Sequence, residues 1–246
     1  TSQEYEFLPP ADGPLGYGWT TPWTVHIDGT NFVDADGRYY PITFDGAGNP
    51  LPDQAAGLIP RRTADGWEVE RRGGNTYRFD WQGRLATIRD PLGNSAQLSY
   101  DADSRLTAIA DVAGRTIYTF THNSEGRIAT VTDLAGRKID YGYDGGGHLV
   151  RVSRGGQLIA SYGYQSHHGM ISKANALGET YQISYQYPEQ GIVSKVINPL
   201  GTARMKQGQS AEGGVMSFRY LFRDRLFFVT DTRGITRRSV SYTHLR

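Results

Sequence analysis

The chain has 246 residues, of which 38% are hydrophobic, with 26 Lys and Arg against 25 Asp and Glu. That balance gives no basic surplus for nucleic acid, and no apolar run approaches the length of a membrane-spanning helix. With no cysteine, disulfides and thiolate metal centres are excluded, while 31 Gly and 16 Tyr fit a chain of many turns and aromatic strands.

In chain order, residues 1–24 are rich in Pro, Gly and aromatics and are pinned by Trp19 and Trp23. These two rings would serve either to stack on a ligand or to plug the first strands, and packing is the usual role of buried aromatics. Val25-His26-Ile27 and Asn31-Phe32-Val33 flank Asp28-Gly29, a hairpin signal. Asp34-Ala35-Asp36-Gly37 predicts another turn before Tyr39-Tyr40-Pro41-Ile42. Residues 45–66 hold Gly46, Gly48, Pro50, Pro52, Gly57, Pro60 and Gly66 and read as a linker or loop excursion. Arg61-Arg62 and Arg71-Arg72 offer an anion site or a solvated face. The second is favoured, because no Gly-rich cradle or helix start adjoins them.

From Tyr77 the chain repeats itself. A leucine-like position falls at Leu85, Leu106, Ile128, Leu149 and Met170, at steps of 21, 22, 21 and 21. Each unit carries turn signals: Asp80 with Gly83, then Asp90-Pro91-Leu92-Gly93, Asp111 with Gly114, Gly126, Asp133 with Gly136, and Gly147. Later passes use Asn175 with Gly178, Asn198 with Gly201, and Asp231 with Gly234. Asp or Asn bonds its own backbone two residues on, Pro presets φ, and Gly accepts φ > 0. The exchange of Asp for Asn argues for a turn role over a catalytic one. Between the turns lie aromatic strands, marked by Tyr77, Phe79, Tyr100, Tyr118, Phe120, Tyr141, Tyr143, Tyr162, Tyr164, Tyr185 and Tyr187. Two strands and two turns per unit predict an all-β fold: a long antiparallel meander with almost no helix. One question stays open. Leu85 and Ile88 are three apart, so either a bulge lies between them or both faces are covered.

Candidate catalytic and metal sites are few. His residues fall at 26, 122, 148, 167, 168 and 244, outside any metalloprotease, Gly-x-Ser-x-Gly or phosphate-loop pattern. His167-His168 would share a metal only in a turn, since neighbours in a strand point apart. Asp34-x-Asp36 and Asp101-x-Asp103 resemble the start of calcium loops, but the fifth positions are Arg38 and Arg105. The expectation is no catalytic residue, no metal and no cofactor.

The recurrent Tyr-x-Tyr/Phe-Asp, Gly-Arg-Leu and Ile-x-Asp-Pro-x-Gly phrases resemble the rearrangement-hotspot, or YD-repeat, family over residues 67–234. Leu15-Gly16-Tyr17-Gly18-Trp19 is similar to a phrase that precedes that family's first repeats. Relatives include toxin-complex B and C subunits, bacterial polymorphic toxins and animal teneurins. The resemblance implies a hollow β-shell enclosing a C-terminal toxin domain, so this chain would be a wall segment without enzymatic activity. Its partners would be the remaining repeats and the toxin of the parent chain, with secretion-system components, and no nucleic acid. Localisation would be secreted, or at the cell surface of a bacterium, as part of a larger protein with no signal peptide in this piece. Asp90-Pro91-Leu92-Gly93 also resembles the family's self-cleavage phrase, but repeats continue past it and it reads as a plain turn. The organisation expected is a cap region at 1–66, repeats at 67–239, and a non-native tail at 240–246. The alternative functions are a carbohydrate-binding or adhesion module stacking ligands on Tyr and Trp, and an enzyme on a propeller or β-helix.

Overall fold

Turn signals every ten or so residues leave strands that are too short to do more than fold back on their predecessors. The computed structural model describes residues 12–221 and 226–240, so most of the suspected tail at 240–246 lies outside the described residues. Asp12–Tyr141 forms one unit, and the chain from Gly142 belongs to another.

In the first unit β1 (Asp12–Gly13) pairs with β2 (Gly16–Tyr17). β3 (His26–Asp28), β4 (Asn31–Val33) and β5 (Tyr39–Pro41) make a small antiparallel sheet. A meander then runs through β6 (Leu58–Thr63), β7 (Gly66–Arg71), β8 (Thr76–Asp80), β9 (Leu85–Arg89) and β10 (Ser95–Tyr100), each antiparallel to the one before. It continues through β11 (Leu106–Ala110), β12 (Thr116–His122), β13 (Ile128–Asp133) and β14 (Lys138–Tyr143). The stretch read from sequence as a linker or loop excursion contains regular structure. It holds all of β6, and its Gly48 and Gly57 sit at turns with positive φ. Glycine and proline there punctuate short strands rather than loosen the chain.

The register answers the Leu85 question with a bulge. Arg78 faces Thr87, but Phe79 faces Leu85, so Ala86 is an extra residue on β9. Thr107 on β11 and Ala129 on β13 are extra in the same way. One inserted residue cancels the odd spacing and brings the leucine-like side chain and the residue three positions on to the same face. Leu85 and Ile128 are each 1% exposed.

That face is covered by the N-terminal segment. Phe32 is fully buried against Tyr77 and Phe79, at ring separations of 5.8 and 6.1 Å. Val25, Ile27 and Leu15 join it, with Trp19 and Trp23 packed at the margin. Each large buried side chain contributes about 1.5–3 kcal/mol by leaving water. The backbone adds two links to the turns: Ile27 N–H donates to Gly83 O at 2.9 Å, and Ile128 N–H to Pro14 O at 2.8 Å.

The second unit continues the alternation. β15 (Leu149–Arg154), β16 (Gln157–Tyr164), β17 (Met170–Asn175), β18 (Thr180–Tyr187) and β19 (Ile192–Ile197) pair in order. After α1 (Pro199–Lys206) come β20 (Val215–Leu221), β21 (Leu226–Thr230) and β22 (Thr236–Val240). Ile171 is the extra residue on β17. Leu149, Ala160 and Ile197 are buried, and most of the unit's other described apolar residues are half-exposed.

α1 corrects the sequence reading of Asn198 and Gly201 as a repeat turn. Asn198 does accept a backbone N–H, from Gly201 at 3.0 Å, but as a helix N-cap with Pro199 in the first helical turn. Thr-Ala-Arg-Met-Lys follows instead of a β-branched run, so the chain winds on. Gly201 is buried against Gly214, where an added Cβ would lie 2.5 Å from Gly201 N and Cα. No described helix is long and apolar enough to cross a membrane.

Candidate functional site

The repeat turns are built alike. In Asp80–Arg84, Asp80 N–H donates to Arg84 O and Gly83 N–H to Asp80 O, each at 3.0 Å. Asp80 Oδ1 accepts from the amides of Gln82 and Arg84, and Arg84 Nε donates to Oδ2 at 2.7 Å. The same closure recurs at Asp101–Arg105, Asp111–Arg115 and Asp133–Arg137. Asn94 replaces the arginine at Asp90–Asn94, and His148 does so at Asp144–His148. At Asn175–Glu179 the polarity reverses, with the Asn175 amide donating to the Glu179 carboxylate at 2.7 Å. Asp231 pairs with Arg233.

The fourth residue of these turns is left-handed: Gly83, Gly93, Gly114, Gly126, Gly136, Gly147, Gly178 and Gly234 have φ between 77° and 91°. At Gly83 the need for glycine is double, since an added Cβ would also lie 2.1 Å from Ile27 O. Pro91 is exposed at its turn tip. The amides and side chains turned onto the carboxylates set their acidity. Backbone donation from Arg105, Arg115, Arg137 and Ile235 holds Asp101, Asp111, Asp133 and Asp231 below the usual carboxylate range, and the Asn94 side chain does so for Asp90.

The aromatic positions divide. Tyr77, Phe79 and Phe120 are buried, while Tyr118 and Tyr187 are exposed. Tyr141, Tyr143 and Tyr162 are half-buried. Three others share a bond that the sequence reading missed. Tyr100 donates to Leu85 O at 2.8 Å, Tyr164 to Leu149 O at 3.0 Å, and Tyr185 to Met170 O at 2.7 Å. Each phenol reaches back 15 residues to the carbonyl of its own unit's leucine-like residue, just before the bulge in the Tyr100 and Tyr185 cases. Burial pushes the Tyr100 phenol up to about 12. The constant spacing of Tyr to Leu was the available signal.

The other candidates are satisfied locally. Arg61 pairs with Glu68 and Glu70, Arg62 lies 4.2 Å over the Trp67 ring, Arg71 pairs with Asp34, and Arg72 donates to Gln54. Asp36 binds the Arg38 amide. His167 and His168 do sit in a turn, both left-handed, but no described group of three or more His, Cys, Asp or Glu converges for a metal.

The teneurin YD-shell family matches residues 68–238. No curated protein matches the sequence. Among solved structures, the TcdB2-TccC3-Cdc42 complex is 13% identical over 84% of this chain, with a TM-score of 0.44. The Photorhabdus luminescens Tc holotoxin pore is 15% identical over 68%, with a TM-score of 0.32. This chain spans 11% and 10% of those two chains. A porin-like protein from Bacteroides uniformis is 14% identical over 76% of this chain and 96% of its own, with a TM-score of 0.36.

Proposed function

The chain belongs to the teneurin YD-shell family, and we propose from that premise that it is a non-catalytic wall segment of a β-shell enclosing a C-terminal toxin domain of the same parent chain. The observation that carries this reading is the repeated closure of an Asp on the Arg four residues later. Its carboxylates are consumed by amides and guanidinium groups of their own turns, which suits residues that hold strands in register. The turn and aromatic residues of the repeats are then folding elements. Residues 12–57 act as the cap that covers the first strands, and the wall runs on from β6, which pairs with β7, through the repeats expected at 67–239. The partners are the remaining repeats and the toxin of the parent, and secretion-system components that export them from a bacterium.

Light scattering on residues 1–246, beside a longer chain carrying the downstream repeats, tests this. A wall piece should self-associate through strand groups left without their neighbours, and the longer chain should restore a monomer. A stable monomer of 1–246 would overturn the wall reading and favour a self-contained binding module.

A further inference from the structure

One repeat unit departs from the aromatic pattern. Six residues before the leucine-like position the other units carry an aromatic ring: Phe79 faces Leu85, Tyr100 faces Leu106 and Tyr164 faces Met170. The residue that faces Ile128 is His122. An imidazole is shorter than a phenol, and His122 lines a cleft of about 330 Å³ that lies wholly within the first unit. Where the Tyr100 and Tyr164 phenols bond a carbonyl, the His122 ring has no hydrogen-bond partner among the described residues.

Two turns and the N-terminal segment wall the cleft. The turns supply Arg105 and Arg127, the N-terminal segment supplies Asp12 and Trp23, and β10 supplies the Tyr100 ring. The charges are already opposed. Arg127 pairs with Asp12 at 2.7 Å, and Arg105 pairs with Asp101 at 2.8 Å and Asp103 at 2.7 Å. Burial, and then the Arg105 charge, push the His122 ring below the ordinary imidazole range, so it is neutral near pH 7. No unopposed cation is left among the described residues for an anionic ligand. Glu125, the lining carboxylate outside these pairs, is exposed at the rim and accepts from the Ser124 hydroxyl.

The unspent groups are of both kinds. His122 offers one N–H and one bare nitrogen, Arg105 a second terminal nitrogen, and Asp12 a second oxygen. The Trp23 and Tyr100 rings add an apolar wall. Donors and acceptors side by side against aromatic rings match a ligand whose polar groups are each both donor and acceptor, carried on a ring with C–H faces. Vicinal hydroxyls on a sugar have that chemistry.

We infer that this cleft binds a hexopyranose unit of a glycan, at the place where His122 replaces the repeat's aromatic residue. Its volume is near the lower end of the range for ligand pockets, about 300–1,000 Å³, which suits one or two rings rather than a long chain. The site is separate from the wall role, which the turns and strands serve whether or not the cleft is filled.

Saturation-transfer NMR on the full chain tests this, with the methyl glycosides of glucose, galactose, mannose and N-acetylglucosamine as probes. The glycoside carries the signal, so the readout holds whether or not the chain self-associates, and its outcome leaves the wall reading to the light-scattering test. At least one glycoside should receive saturation from the wild-type protein. His122→Tyr restores the repeat residue and fills the cleft; it should melt as the wild type does and bind about tenfold more weakly or worse. His122→Gln keeps a donor and an acceptor and should retain binding. Trp81→Ala removes a tryptophan that is 59% exposed and lies outside the cleft, and should change nothing. Absence of saturation for all the glycosides would overturn the inference. So would binding that survives His122→Tyr or is lost in Trp81→Ala.

Discussion

Replacing Gly83 by alanine should cost far more than replacing Gly114 by alanine, although the two have nearly the same backbone, with φ of 81° and 77°. At Gly114 an added Cβ meets nothing within 4 Å, so the penalty is left-handed strain alone, roughly 1–2 kcal/mol. At Gly83 the Cβ would lie 2.1 Å from the backbone oxygen of Ile27, which cannot rotate away. Strand β3 has to lift, breaking the 2.9 Å bond from Ile27 N–H to Gly83 O. A buried amide left without its acceptor adds about 1–3 kcal/mol, which puts Gly83→Ala near 3–4 kcal/mol. Urea unfolding followed by tryptophan fluorescence reports on this region, since Trp67 is buried and Trp19 and Trp23 pack on the same core. In a thermal melt the two variants should differ by about 4–8 °C. Equal losses for both would refute the docking of the N-terminal sheet on this turn.

Leu149→Ala, at a side chain 1% exposed, should cost about 2–5 kcal/mol in chemical denaturation. Gly214→Ala should drive α1 away from the 211–214 loop, read as faster hydrogen exchange of the amides in residues 200–206 while β15–β17 keep their protection. Asp101, Asp111, Asp133 and Asp231 are held below their ordinary values, so the unfolded chain takes up protons first on acidification. Their contribution is fully present above about pH 5 and is lost as pH falls through the depressed folded values. A triple Asp→Asn variant at 101, 111 and 133 should show a flatter acid limb in Tm against pH, with a modest change at pH 7, since Asn175 already holds an equivalent turn through Oδ1.

The period made the strands legible, because Leu85, Leu106, Ile128 and Leu149 mark a buried face that burial makes hard to vary. Strand parity was not legible. Period arithmetic gives a bulge and a two-sided sheet equal standing, and only the pairing of Phe79 with Leu85 decides. The helix at Pro199 was missed because its N-cap Asn198 and first turn, through Gly201, carry the same Asn, Pro and Gly as a repeat turn, and a cap and a turn use one Asn side chain in the same way. Composition left 45–66 between a linker and a loop excursion, because it records that Gly and Pro are frequent without recording that they fall between strands. The Arg84–Ser104 and His148–His168 contacts join turns 20 residues apart, and no period arithmetic places them.

The turn and its bulge together give the chain a natural length of edit. Asp80 finds its amides and its guanidinium partner within five residues, and Tyr100 finds its carbonyl within 15. Nearly everything that a unit needs is inside it, so duplicating or deleting a whole unit leaves the flanking strands with partners of the right parity. Loss of a single residue from a strand has the opposite effect, turning Leu85 or its equivalent outward and its polar neighbours inward. Such a chain should tolerate recombination between its own repeats far better than frame-preserving deletions of one codon.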